Sequence, residues 1–110
     1  MTGNEYQKLA MRTCCITTDP EAKLRHGVFG LAAEAGEVSG IFQKVYQGHE
    51  LDLDHVIKEC GDCLWMIVEI LDVLDIELEE CMEMNISKLR ARYPEGFTAE
   101  RSLHRAEGDV

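Results

Sequence analysis

The chain has 110 residues and a net charge of −10, with 21 Asp and Glu against 11 Lys and Arg, and a pI near 4.7. That length suits one domain, burying roughly two-thirds of its unfolded surface. The acidic balance excludes nucleic acid and anionic membranes as partners, because both need a basic stripe. No apolar run reaches the roughly 18 residues of a membrane span. The start Met1-Thr2-Gly3-Asn4-Glu5 has no signal-peptide pattern, so a cytoplasmic chain is expected.

The first predicted helix runs from about Asn4 to Thr17, with Tyr6, Leu9, Ala10, Thr13 and Ile16 along one side. Asp19-Pro20 then supplies an N-cap and a proline at the first helical position, and a long second helix continues to about Gln47, where Gly48 stops it. Gly27, Gly30, Gly36 and Gly40 each cost it about 1 kcal/mol relative to Ala. Close approach of another helix or a ligand would account for them; a kink is the alternative. Asp54 is the expected N-cap of helix three, which spans Val56 to Asp75. Helix four has Glu77, Glu79 and Glu80 in its first turn and Lys88, Arg90 and Arg92 in its last, as the helix dipole favours, and Pro94 and Gly96 close it. No segment alternates as a strand does, so the class is all-α, a four-helix bundle-like domain.

Glu34-Ala35-Gly36-Glu37 and Glu59-Cys60-Gly61-Asp62 are acidic pairs spaced i,i+3, which on a helix share a face. Glu69/Asp72 and Glu80/Glu83 have the same spacing, so spacing alone does not distinguish a site from a solvated face. Angular position does. Around helix three the apolar residues cover roughly 220°. Glu59 falls inside that arc and Asp62 at its edge, whereas Glu69 and Asp72 fall outside. On helix two, Glu34 lies inside the arc of Leu24, Val28, Leu31, Ala35, Val38, Ile41, Phe42 and Val45, with Glu37 at its rim. A buried unpaired carboxylate costs several kcal/mol, so the pattern calls for a cation. Four carboxylates suit hard ions: Mg²⁺, with Mn²⁺ as the substitute.

The five cysteines do not make a disulfide framework, and Cys60, Cys63 and Cys81 occupy apolar positions as small hydrophobes. Cys60-x-x-Cys63 lies inside a helix without a second such pair, unlike a zinc or redox motif. Trp65 projects away from the aliphatic side of helix three, toward a base or a subunit interface. His26 and His49 have no evident partner. The wide apolar arc of helix three exceeds what one small domain covers, which predicts an oligomer.

Glu34-x-x-Glu37, the gap from Val38 to Lys58, and Glu59-x-x-Asp62, within Gly30-Leu31-Ala32-Ala33-Glu34-Ala35-Gly36-Glu37-Val38 and Glu59-Cys60-Gly61-Asp62-Cys63-Leu64-Trp65, resemble the MazG-like all-α nucleoside triphosphate pyrophosphohydrolases. Asn85-Ile86-Ser87-Lys88-Leu89 and Arg92-Tyr93-Pro94-Glu95-Gly96-Phe97 resemble that family's third block, in which an Asn and a Lys contact the nucleotide. The likeness spans about residues 5–97 of a single domain 1–110, leaving a tail, 98–110. It implies Mg²⁺-dependent cleavage of a nucleoside triphosphate between the α and β phosphates, by a homodimer or homotetramer.

The metal ligands would then be Glu34, Glu37, Glu59 and Asp62, with Glu34 or Glu37 orienting and deprotonating the water. The phosphates and nucleotide would meet Lys44, Asn85, Lys88 and Arg92, although Lys and Arg near a helix end are also ordinary dipole partners. Asn85, in an apolar stretch, needs a partner. Two other readings compete. One is a non-enzymatic interaction module binding zinc through Cys60, Cys63 and His49 or Cys81. The other is a pyrophosphohydrolase of a modified nucleotide such as phosphoribosyl-ATP.

Overall fold

The computed structural model describes Met1–Val110 and consists of helices joined by turns, with no strand. Helix α1 (Gly3–Met11) opens on a capping box: the Glu5 N–H donates to the Thr2 hydroxyl oxygen and the Thr2 N–H to the Glu5 carboxylate. It ends well before the expected Thr17. The Thr13 hydroxyl donates to the Ala10 carbonyl at 2.7 Å, a local bond that competes with further helix.

Helix α2 (Pro20–Tyr46) is capped by Asp19 and runs unbroken for 27 residues, so its glycines do not kink it. Gly48, at φ +100°, ends it in a Schellman turn in which the Gly48 and His49 N–H groups donate to the Val45 and Lys44 carbonyls. Helix α3 (Leu53–Val73) is capped by Asp52 through the His55 N–H, not by Asp54, which lies in the first turn. Asp75, at φ 56°, closes α3 in the same kind of turn.

Helix α4 (Leu78–Arg92) has no side-chain cap of its own. Helix α1 supplies it: the Leu78 N–H donates to Gln7 Oε1 at 2.7 Å and the Glu79 N–H to Asn4 Oδ1 at 3.0 Å, while Gln7 Nε2 donates to the Ile76 carbonyl. The expected tail contains a short fifth helix, α5 (Ala99–Leu103), capped by Thr98.

Helices α2 and α3 form the main packing unit. Lys23 pairs with Asp72, His26 with Glu69, and Gly27 and Gly30 meet Ile70 and Met66, so the two run antiparallel. Ala10, Val68, Leu71 and Leu78 form the core, with Tyr6, Met11, Trp65 and Cys81 against it. Helix α1 therefore bridges α3 to α4. Trp65, expected toward a base or a subunit interface, packs within the chain: its Nε1–H donates to the Ala10 carbonyl at 3.1 Å and the Thr13 hydroxyl at 2.8 Å.

The expectation of close helix approach holds at Gly27 and Gly30, while Gly36 and Gly40 face open space. A Cβ on Gly27 would sit 2.8 Å from Ile70 Cγ1 and 3.3 Å from the Ile70 backbone nitrogen. Backbone cannot yield as a flexible side chain can. Gly27→Ala is thus expected to destabilise the fold by about 1–3 kcal/mol through overpacking, as chemical denaturation would measure.

Only 8 of 110 residues are buried, and the radius of gyration of 17.0 Å exceeds the ~13 Å usual for a chain of this size. Phe29, Tyr46, Leu53, Ile57 and Met84 are among the large apolar side chains left exposed. Cys60, expected as a small hydrophobe, is exposed too.

Candidate functional site

The antiparallel packing of α2 on α3 sets Glu34 opposite Glu59 and Asp62. One carboxylate oxygen from each lies within 4.8 Å of the others, forming the only group of three or more His, Cys, Asp or Glu residues so arranged. Glu34 and Glu59 are half-buried and Asp62 is exposed. This matches the sense of the angular reading, though neither glutamate is fully enclosed. Glu37, exposed one turn along α2, stands outside that group, but its charge still acts on Glu34.

Crowded negative charge makes the cluster costly without a cation. Partial burial pushes the Glu34 carboxyl up from its ordinary value, and the charges of Asp62 and Glu59, a hydrogen bond with Glu59 and the charge of Glu37 push it the same way. The donor set is all hard oxygen, and three oxygens so close can collapse onto one small divalent ion. They fit magnesium.

One neighbour was missed as a site residue. His55 lies one turn before Glu59, and its Nε2 is 2.9 Å from Glu59 Oε1. This i,i+4 pair was legible in the sequence, and it restrains the orientation of one of the three converging carboxylates. His55→Ala is accordingly expected to raise the Mg²⁺ concentration for half-maximal binding about 10- to 100-fold with little loss of helix content, measurable by calorimetry. Cys63, expected as a small hydrophobe or a zinc ligand, also lies within reach of the cluster's charges. Partial burial, then the charges of Cys60, Glu34, Asp62 and Glu59, push its thiol up from its ordinary value.

The proposed phosphate-side residues do not converge on this cluster within one chain. Lys44 is exposed near the end of α2, and Asn85 is exposed on α4, so the expected burial of its amide does not occur. Lys88 and Arg92 line a cavity of about 470 Å³ with residues of α5 and the segment after it. None of Glu34, Glu59 and Asp62 lines that cavity.

The other acidic pair on α3 reverses the angular expectation. Glu69 is completely buried. Its Oε1 is 2.6 Å from His26 Nδ1, and its Oε2 accepts from the Cys14 thiol at 3.2 Å. His26, expected at the surface without a partner, also meets the Trp65 ring edge-on at 6.0 Å. Glu69 escaped the angular reading because its partners come from α2 and the α1–α2 connection, which helical periodicity does not see. Asp72, by contrast, is exposed and pairs with Lys23.

Residues 27–97 match the MazG nucleotide pyrophosphohydrolase domain family. The chain is also similar to the Gene 37 protein of Mycobacterium phage L5, 27% identical over 78 residues that cover 66% of this chain and 68% of that protein. No solved structure matches it.

Proposed function

The chain belongs to the MazG nucleotide pyrophosphohydrolase domain family, and on that premise we propose that it hydrolyses a nucleoside triphosphate, ribo or deoxy, between the α and β phosphates. The observation that carries this reading is the convergence of Glu34, Glu59 and Asp62 across two helices. These three, with Glu37 beside them, would hold Mg²⁺ or Mn²⁺. The ion, when bound, neutralises phosphate oxygens and the charge that grows toward the leaving pyrophosphate.

Glu37 or Glu34 takes the proton of the attacking water, whose oxygen bonds to the α-phosphorus as the bond to the α–β bridging oxygen breaks. Glu37 suits that role because it lies beside the cluster yet outside the three converging ligands. His55, with Nε2 2.9 Å from Glu59 Oε1, would fix that carboxylate's orientation for the ion. Lys44, Asn85, Lys88 and Arg92 bind the nucleotide and its phosphates.

Helix α4 rests on α1, so the reading requires a second copy of the chain to bring Asn85 and Lys88 to the carboxylates. The exposed Phe29, Tyr46, Leu53 and Ile57 supply apolar surface for a homodimer or homotetramer. Light scattering on the full chain checks this, and an active monomer would remove the shared site. No helix is long and apolar enough to cross a membrane, which is compatible with a cytoplasmic nucleotide substrate.

The deciding experiment incubates the chain and Mg²⁺ with a panel of NTPs, dNTPs and damaged analogues, scoring pyrophosphate against orthophosphate. Pyrophosphate release from one or a few of them is expected. Orthophosphate alone, or metal binding without turnover, would overturn the reading.

A further inference from the structure

The cavity between α4, α5 and the segment that follows has an electrostatic character opposite to that of the chain. Four of its lining residues are Lys88, Arg92, Arg101 and Arg105, with His104 among them, against the acids Glu107 and Asp109. It is a local excess of cations in a chain of net charge −10. Lys88, Arg101 and Arg105 form no ion pair.

Arg92 is already engaged. Its Nε–H donates to Asp109 Oδ2 at 2.7 Å and its terminal NH2 group to Asp109 Oδ1 at 2.6 Å, a fork-to-fork pair, with a longer contact of 3.5 Å to the Val110 carbonyl. The two side chains are only 10% and 14% exposed. A carboxylate gripped through both oxygens presents to an arginine what one edge of a phosphate presents. The neighbouring unpaired cations would be left largely unneutralised by a single carboxylate. An anion carrying several charges on linked phosphates would satisfy all of them.

We propose that this cavity binds an oligophosphate, either free pyrophosphate or the phosphate tail of a nucleotide, and that Asp109 is a latch that must release Arg92 before the ligand can enter. The inference rests on the function proposed above only in taking Lys88 and Arg92 as phosphate-side residues. A closed latch lowers the apparent affinity by the fraction of molecules in which it is open. The latch lies outside residues 27–97, the part matched by the family, so it is a device of this chain's own segment.

The test titrates the full chain with inorganic pyrophosphate in a calorimeter, with a chelator present so that the carboxylate cluster cannot hold the anion through a cation. Asp109→Asn should bind about tenfold tighter or more, whereas Glu107→Gln, which removes equal charge from the same cavity without freeing Arg92, should gain less than about threefold. Arg92→Gln should lose most binding, and circular dichroism checks that each variant stays helical. Absence of metal-free binding, or equal gains from Asp109→Asn and Glu107→Gln, overturns the proposal. A non-hydrolysable triphosphate analogue tells the sources apart: binding like that of pyrophosphate assigns the cavity to the nucleotide tail as well, and weaker binding confines it to the free product. Turnover with Mg²⁺ is scored separately. An active enzyme whose Asp109→Asn variant binds no tighter loses the latch but keeps the hydrolase reading, and a latched but inactive chain does the reverse.

Discussion

Glu34→Gln is expected to lower kcat/KM by about 10²- to 10³-fold while the helices stay intact, because it removes one of three converging oxygens from the site of charge stabilisation. Glu59→Gln and Asp62→Asn should fall in the same range. Glu37→Gln separates two roles. If Glu37 prepares the water, its loss lowers kcat with Mg²⁺ affinity nearly unchanged; if it is a ligand, Mg²⁺ affinity falls as well. Calorimetric Mg²⁺ titration beside initial rates reads both quantities. Full activity in Glu34→Gln would remove the carboxylate site altogether.

The same crowding gives the Glu34 variant a second, independent readout. The folded Glu34 carboxyl is raised above its unfolded value, so between those values the folded metal-free chain binds more protons than the unfolded chain. Its contribution to stability is therefore full at pH below the ordinary carboxylate value and is lost as pH rises through the raised folded value. Mg²⁺ should reverse the trend, since binding requires the deprotonated cluster. A melting series against pH, with and without Mg²⁺, should show the two curves diverging as pH rises, and the divergence should shrink in Glu34→Gln.

Helical periodicity carried much of this geometry because it concerns neighbours on one element. It sets Glu34 and Glu59 inside the apolar arcs of α2 and α3, with Glu37 and Asp62 at their rims; in the structure the first two are half-buried and the rim pair is exposed. The caps at Asp19 and Gly48 were legible for the same reason, since each is a local steric or hydrogen-bonding requirement. What failed depended on a third element. Trp65 projects away from the aliphatic side of α3, and the Ala10 carbonyl and Thr13 hydroxyl, contributed by α1 and the turn after it, together with the His26 ring of α2, make that direction interior. Asn85 fails in the opposite sense: its apolar neighbours Cys81, Met82, Ile86 and Leu89 suggested burial, but only Cys81 packs against the core, and Met82, Ile86, Leu89 and Asn85 itself are exposed. The amide and its neighbours are accordingly the surface on which a second copy would act.

Glu69 is the residue on which that third element has the largest energetic consequence, and Glu69→Ala is expected to destabilise the fold by about 3–5 kcal/mol. A carboxylate with no exposure keeps its charge inside protein only if its lone pairs are satisfied, and His26 and Cys14 do so from α2 and the α1–α2 connection. Removing it leaves the His26 ring without that partner and the Cys14 thiol with only the 3.6 Å contact to the Ile16 carbonyl, and opens a void beside the close contacts of Gly27. Glu69→Gln should cost less, because the amide keeps the volume and one acceptor oxygen. His26→Ala should cost nearly as much as Glu69→Ala, since the buried carboxylate would retain only a thiol as donor. Asp72→Asn, at the exposed carboxylate that pairs with the partly buried Lys23 three residues further along α3, should change stability by no more than about 1 kcal/mol. Urea denaturation of the four variants orders these costs. A Glu69→Ala chain as stable as Asp72→Asn would mean that the buried cluster contributes nothing to joining α1, α2 and α3.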